Sequence, residues 1–322
     1  MAKAHKFSLG LSALAVLSSA GVFAAQHIPA TPPDDVLEDA QGSFIFVFHD
    51  DLSPADIRPL AIRLTKGRGG GLRHVYSKAL KGFSATLSSA AAAEIAQSPE
   101  IAYYEPNGVA RALAAGGERP GVAAPPDGKG PRDSGEDVQV TPWGIARVGG
   151  PVDGTNLHAW IIDSGIDLDH PDLNVSYGAN FVVTRPGDDP GDTLPDDGAG
   201  HGTHVAGTVA AIDNDIDVVG VAAGAWVHPV RVLSNGGWGT TDAIVAGIDF
   251  VAANAAPGDC ANMSLGGPGH QQSMHDAVIN AADQGILFSL AAGNEADYAE
   301  YYEPAHVEHG NVYTISAVDD SD

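Results

Sequence analysis

The sequence holds 322 residues, 44% of them hydrophobic, with a formal net charge of −25 at pH 7. A chain of that length buries one large core and a small accessory domain, and its acidic balance repels nucleic acid and anionic membranes, which excludes both as partners. A single cysteine, Cys260, leaves no intramolecular disulfide framework. Its thiol reads either as a nucleophile or as a small apolar group on a buried strand, and the second is expected.

In chain order, residues 1–25 have the pattern of a secretory signal peptide. Lys3 and Lys6 precede a short apolar run over 7–22, and Val22-Phe23-Ala24 offers small residues for cleavage. The run is short for a membrane span and no second one follows. An exported protein, free of the membrane once the leader is removed, is expected.

Residues 43–108 are predicted to form a strand (44–48), a helix opened by Ser53-Pro54 and running through Ile57, Leu60, Ile62 and Leu64, strands near 72–76 and 82–87, an alanine-rich helix (89–97) and a strand (101–104). That order is the split βαβ pattern of a ferredoxin-like α+β fold, expected to stand as a small domain of its own. Residues 109–137, with Ala-Pro-Pro and Gly-Lys-Gly-Pro strings, have the composition of a flexible linker.

From 138 to 322 apolar strands alternate with helices. Strands are predicted at 158–163, 226–233, 261–265, 286–292 and 312–318. Helices are predicted at 202–212, 241–254 and 271–283, the last stopped by Gly285. The alternation implies an α/β fold, a parallel sheet with helices on both faces. From Asp137 onward, 27 acidic residues face three basic ones, Arg147, Arg185 and Arg231. A salty medium and a cationic substrate both suit that surface.

Functional groups of such sheets gather at the carboxyl ends of strands. Asp163 ends one predicted strand, His201 opens a helix, and Asn294 follows the strand Leu290-Ala291-Ala292-Gly293. An aspartate, a histidine and an amide at element ends suit nucleophilic acyl transfer. Taken singly each has a plainer reading: Asp163 and Asn294 as turn residues, and His201 with His204 as a metal pair at i, i+3. No third ligand in a zinc-type motif accompanies the histidines, and His204 is expected to pack on its helix.

Together the strings Asp163-Ser164-Gly165-Ile166-Asp167, His201-Gly202-Thr203-His204-Val205-Ala206-Gly207-Thr208 and Ala291-Ala292-Gly293-Asn294-Glu295 resemble the aspartate, histidine and oxyanion boxes of the subtilisin family, in that family's order. The resemblance implies a serine endopeptidase acting on polypeptide substrates, with Asp163 supporting His201 as general base and Asn294 donating to the oxyanion. It implies substrate-pairing strands at Ser264-Leu265-Gly266 and Gly237-Trp238-Gly239. Residues 43–108 separately resemble the family's inhibitor-like propeptide, notably at Ala79-Leu80-Lys81-Gly82-Phe83-Ser84-Ala85 and Tyr104-Glu105-Pro106. That implies an intramolecular inhibitor and folding chaperone, removed by a cut between 107 and 137, and a monomer.

The resemblance also implies a structural calcium site. Gln139, Asp172 and Asn214 match its side-chain ligands, and the carbonyls of Ile212, Ile216 and Val218 would complete an oxygen cage of the kind Ca²⁺ prefers. Asp213, Asp215 and Asp217 add negative charge to that loop.

One part of the family pattern is not found. Only 28 residues follow Asn294, and neither Ser316 nor Ser321 sits in a glycine-threonine-serine box. Ser164 and Ser264 belong to other boxes, and Ser273 lies upstream of Asn294. The nucleophile is therefore expected outside these 322 residues, in a downstream segment of the reading frame. The alternative function is that of a non-catalytic protease inhibitor or folding chaperone acting through residues 43–108.

Overall fold

The computed structural model describes residues 31–113, 138–182 and 193–318. The predicted leader, nearly all of the predicted linker and Arg185 lie outside them.

The N-terminal part opens with helix α1 (Asp34–Ala40) and continues as β1 (Ser43–Phe48), α2 (Pro54–Thr65), β2 (Gly71–Tyr76), β3 (Gly82–Thr86), α3 (Ser89–Ile95) and β4 (Ile101–Pro106). Its four strands form one antiparallel sheet in the order β2-β3-β1-β4, the ferredoxin-like arrangement. Strand β1 is buried along its whole length, and the period of two explains how. Phe44, Phe46 and Phe48 join a cluster with Ile57, Leu60 and Leu64 of α2 and Ala92 and Ile95 of α3. Ile45 and Val47 point the other way, into the large core of the C-terminal part. The sheet is thus covered on one face by its own helices and on the other by helices of the second part. The small domain the sequence pattern suggested therefore docks one face of its sheet on the C-terminal part.

A short strand, β5 (Val109–Ala112), then leaves this sheet, and past residue 137 the C-terminal part begins with α4 (Trp143–Arg147) and β6 (Val152–Asp153). There follow β7 (His158–Asp163), β8 (Asn174–Val175), β9 (Ala179–Asn180), α5 (His201–Ala210), β10 (Ala222–Ala223), β11 (Trp226–Arg231), β12 (Trp238–Thr240) and α6 (Thr241–Asn254). The chain continues with β13 (Cys260–Met263), β14 (Leu265–Pro268), α7 (Gln272–Asp283), β15 (Leu287–Ala291), a 3₁₀ turn (Ala299–Tyr301), β16 (Tyr302–Glu303) and β17 (Val312–Ile315). Seven strands make a parallel sheet in the order β17-β15-β13-β7-β11-β8, with β9 also on β11.

The continuous apolar runs of β7, β11, β13 and β15 are those of strands covered on both faces. One face packs on α6 and α7, through Ile244, Ile248, Val278 and Ala281, in the core that Ile45 and Val47 enter. The other packs on α5 through Ala206, Val209 and Ala210. Cys260 is buried on β13, and burial pushes its thiol up to about 12, which leaves it no nucleophilic thiolate near neutral pH.

Two predicted strands differ from those observed. The strand expected at 261–265 is two elements: β13 belongs to the parallel sheet, and after Ser264 the chain turns into β14, which pairs elsewhere. The strand expected to reach 318 ends at Ile315, where its pairing with β15 ends.

Candidate active site

Strand β7 carries Asp163 to the C-terminal edge of the sheet, where it is fully buried. Its main-chain carbonyl accepts from the N–H groups of Val232 and Leu233 at 2.8 and 3.1 Å, which fixes the strand end. Its carboxylate accepts the N–H of Ser164 at 2.7 Å and faces Nδ1 of His201 at 2.8 and 3.0 Å. His201 is the first residue of α5, and Gly200 before it holds φ +81°, a left-handed conformation suited to glycine. Close packing sets the pair. A Cβ on Gly202 would lie 2.1 Å from the Gly165 carbonyl oxygen and 3.2 Å from Cβ of Asp163.

Asp197 organises this corner and was missed in the sequence. Its Oδ2 accepts from the N–H and hydroxyl of Thr203 at 2.8 and 2.6 Å, and its Oδ1 accepts from the Ser164 hydroxyl at 2.9 Å. An acidic residue just ahead of a helix start was the available signal. Burial lowers the basicity of His201. The charge and hydrogen bond of Asp163, the main-chain carbonyl of Leu113 and the charge of Asp197 outweigh it, so the imidazole pKa stands above its usual value.

The Leu113 contact belongs to a larger one. Strand β5 lies antiparallel between β12 and β14: Arg111 is opposite Trp238 on one side and Gly266 on the other. Ala112 N–H donates to the Gly237 carbonyl at 2.9 Å, and Leu113 N–H donates to the Ser264 carbonyl at 2.9 Å. Residues 109–113, expected in the linker, are therefore a strand held by the Gly237-Trp238-Gly239 and Ser264-Leu265-Gly266 strings. Nothing in Val109-Ala110-Arg111-Ala112 marks a strand; its partners make it one. A Cβ on Gly266 would meet Cδ1 of Leu113 at 3.3 Å and the Glu303 carbonyl at 3.1 Å, so the leucine side chain packs against β14 at Gly266, where β14 runs beside its partner β16.

Asn294 is exposed in the loop after β15, its N–H donating to Glu295 Oε2 at 2.7 Å. Glu295 in turn pairs with Arg111 of β5 at 3.1 Å. His204, expected to pack, is solvent-exposed. Ser164 and Ser264 are engaged elsewhere: the Ser164 oxygen accepts from Gly202 N–H at 3.0 Å, and the Ser264 oxygen accepts from the Asn262 amide at 2.9 Å.

The expected metal ligands also converge. Nε2 of Gln139 lies 2.6 Å from the Ile212 carbonyl, 3.3 Å from that of Val218, 3.4 Å from Asn214 Oδ1 and 3.5 Å from the Ile216 carbonyl. The Asn214 amide donates to Asp172 Oδ1 at 2.7 Å, and Asp172 is buried. Four oxygens thus surround one point, and turning the Gln139 amide over brings a fifth to it.

The N-terminal part is held against α6 and α7 by polar contacts. Asp249 of α6 accepts from the N–H groups of Ser77, Lys78, Ala79 and Leu80 at 2.6–3.4 Å. Glu105 accepts from the N–H groups of Gln272 and Ser273 at the start of α7, each at 3.0 Å, where the helix dipole favours an anion. Tyr103 donates to Asp276 at 2.6 Å.

Two family models match the two parts of this chain. The family model described as "Subtilase family" matches residues 157–322, and "Peptidase inhibitor I9" matches residues 47–112. Subtilisin E of Bacillus subtilis (strain 168) is 36% identical over 235 residues, covering 71% of this chain and 53% of that protein. A subtilisin of Bacillus pumilus is 43% identical over 165 residues, 49% of this chain and 57% of that one. The crystal structure of a cold-adapted subtilisin-like serine proteinase aligns with TM-score 0.41 at 36% identity, over 49% of this chain and 54% of that one. The chain spans about half the length of the curated relatives it matches.

Proposed function

Because the chain belongs to the subtilase family and carries an I9-type propeptide domain, we propose that it is part of a secreted serine endopeptidase precursor whose maturation cut follows Leu113. The observation that carries this reading is the seat of residues 109–113. The main chain of Leu113 lies against the imidazole of His201, whose other side is fixed by Asp163. A peptide paired on both edges in this way gains main-chain hydrogen bonds that are indifferent to sequence. The bond assigned for cleavage in this reading is the one that follows Leu113.

In this reading the nucleophile is a serine hydroxyl supplied outside these 322 residues, since the described serines near the site are committed to other contacts. His201 takes the hydroxyl proton as oxygen attacks the carbonyl carbon of Leu113, and returns it to the leaving amine of Ala114. Asp163 holds the Nδ1–H tautomer and stabilises the imidazolium. Asn294 donates its side-chain N–H to the oxyanion. Removing such a donor costs about 10²–10³ in kcat, a magnitude that comes from the corresponding asparagine of a subtilisin. After the cut, Leu113 remains as a product-like plug, which makes residues 43–113 an intramolecular inhibitor. The reading includes a Ca²⁺ ion held by Gln139, Asp172, Asn214 and the carbonyls of Ile212, Ile216 and Val218, which ties the start of the C-terminal part to the loop after α5.

The test is the protein expressed from the complete reading frame. A mature N-terminus at Ala114 and hydrolysis of peptides with leucine before the cut bond are expected, with both lost in His201→Ala. Processing that persists in His201→Ala, or a mature N-terminus far from Ala114, overturns the reading.

A further inference from the structure

A second cluster lies around the ends of β14 and β16. The turn after β14 carries His270, β16 carries Glu303, and the following turn carries His306. One ligand atom from each lies within 4.8 Å of the other two, the one such trio of His, Cys, Asp and Glu found among the described residues. Glu303 is 3% exposed, and its Oε1 is buried with no hydrogen-bond partner. Its Oε2 accepts only a long bond from Gln271 N–H, 3.4 Å, and faces His306 Nδ1 at 3.1 Å. The rings of His270 and His306 meet edge to face with centroids 4.2 Å apart. His275 of α7 stacks on His306 from the other side, with Nδ1 3.1 Å from His306 Nε2.

Burying a carboxylate oxygen with no donor costs several kcal/mol unless a proton or a cation meets it. The two imidazoles beside it offer ring nitrogens that can share a cation with that oxygen. Two nitrogens and one carboxylate oxygen form a ligand set of borderline softness, the kind that holds Zn²⁺ with one position open. The oxygen-only cage at Gln139 selects differently. Tetrahedral bonds of about 2.0–2.1 Å set ligand atoms about 3.4 Å apart, so a small rotation of the exposed His270 ring closes the trio.

We propose that His270, Glu303 and His306 form a site for a divalent transition ion, zinc by preference, that fastens the exit of β14 to the turn after β16. These two elements are paired strands, and Leu113 packs against β14 at Gly266, so the ion braces the wall on which that side chain rests. His275 either orients His306 through its ring nitrogen or fills the fourth position. The site stands on its own residues and does not depend on the peptidase reading.

The test uses the full chain, stripped with a chelator and dialysed into calcium, then titrated with ZnCl₂ by calorimetry and thermal unfolding. One zinc per chain at micromolar affinity and a raised Tm are expected. His270→Ala, at an exposed position, and His306→Ala should each weaken binding by at least about tenfold, roughly 1.4 kcal/mol. His158→Ala removes a member of the other close histidine pair, with His228 at 2.9 Å, and should leave binding unchanged. Cobalt(II) should give the visible absorption of a four-coordinate centre, lost in His270→Ala. Absence of zinc binding up to millimolar metal, or equal affinity in the wild type and both variants of the trio, overturns the proposal and assigns the cluster a shared proton instead.

Discussion

Asn107 and Asp242 recognise each other twice. The Asn107 amide donates to Asp242 Oδ1 at 2.8 Å, and Asp242 N–H donates back to Asn107 Oδ1 at 3.0 Å. The pair joins the end of the N-terminal sheet to the first turn of α6. Around it, Asp242 also takes Arg73 Nε at 2.6 Å, Ser84 Oγ at 2.9 Å and Thr240 Oγ1 at 2.6 Å, while Arg73 reaches Asp39 at 2.7 Å.

Substituting Asp242→Ala leaves a buried guanidinium short of one partner and three donors without an acceptor. A loss of about 3–5 kcal/mol is expected in urea unfolding, with earlier nicking of residues 31–113 by added protease. The pH dependence follows. Burial alone would raise the Asp242 carboxyl, but the charges of His74 and Arg73 and its hydrogen bonds hold it at about 2. Its folded value lies below the unfolded one of 3.8. Its contribution is therefore present above pH ~4 and lost as pH falls through 2, about 2 kcal/mol over that window. Asp242→Asn should flatten the same window.

His201 should titrate above its ordinary value of 6.5 by NMR. In Asp163→Asn, only the Leu113 carbonyl and the Asp197 charge still oppose burial, and the midpoint should fall. A raised folded pKa places this pair's stabilising share below pH ~6.5, and the share fades as pH rises through the folded value. An unchanged midpoint in the variant would remove Asp163 as the cause. If the peptidase reading holds, the same substitution in the protein expressed from the full reading frame should cost about 10⁴ in kcat.

Calcium added to one hundred times its dissociation constant should stabilise the chain by about 2.7 kcal/mol. Asp172→Ala and Asn214→Ala should abolish that gain, read as a Tm that no longer responds to CaCl₂ or EDTA. A response retained in both variants moves the ion elsewhere.

Two glycine substitutions should act in opposite directions. A Cβ at Gly267 would sit 2.6 Å from the Val109 carbonyl oxygen, so Gly267→Ala should push β5 off β14 and expose residues near Leu113 to added protease. At Gly207, within α5, a Cβ meets nothing within 4 Å. Gly207→Ala should stabilise the helix by about 0.8–1.0 kcal/mol, seen as a higher urea midpoint.

What the sequence made legible was what is locally encoded. The run Ala159-Trp160-Ile161-Ile162 had to be a strand covered on both faces, and the helix predicted at 241–254 is α6 as observed. The boxes around Asp163 and His201 were visible because strand ends and helix starts carry their own signals. What escaped was set by partners distant in the chain. Strand β5 exists because β12 and β14 border it, Asp197 works through Thr203 and Ser164, and Asp249 serves main-chain groups some 170 residues away. Ile45 and Val47 looked like half of an ordinary strand, and only the presence of α6 and α7 shows what their side of the sheet is for.

Under the proposed cut after Leu113, that two-sided burial of β1 gives maturation a direction in time. While the chain is continuous, the N-terminal sheet meets α6 and α7 at the high local concentration of a tethered segment. A cut after Leu113 turns the same contact into an encounter between two molecules. Any dissociation then bares Ile45 and Val47 to water and weakens the fold that carried them. A loosened segment is itself a substrate for proteolysis, which removes it from the equilibrium. The alternation of five side chains, Phe-Ile-Phe-Val-Phe, thus acts as a ratchet: assembly is favoured before cleavage, and return is blocked after it.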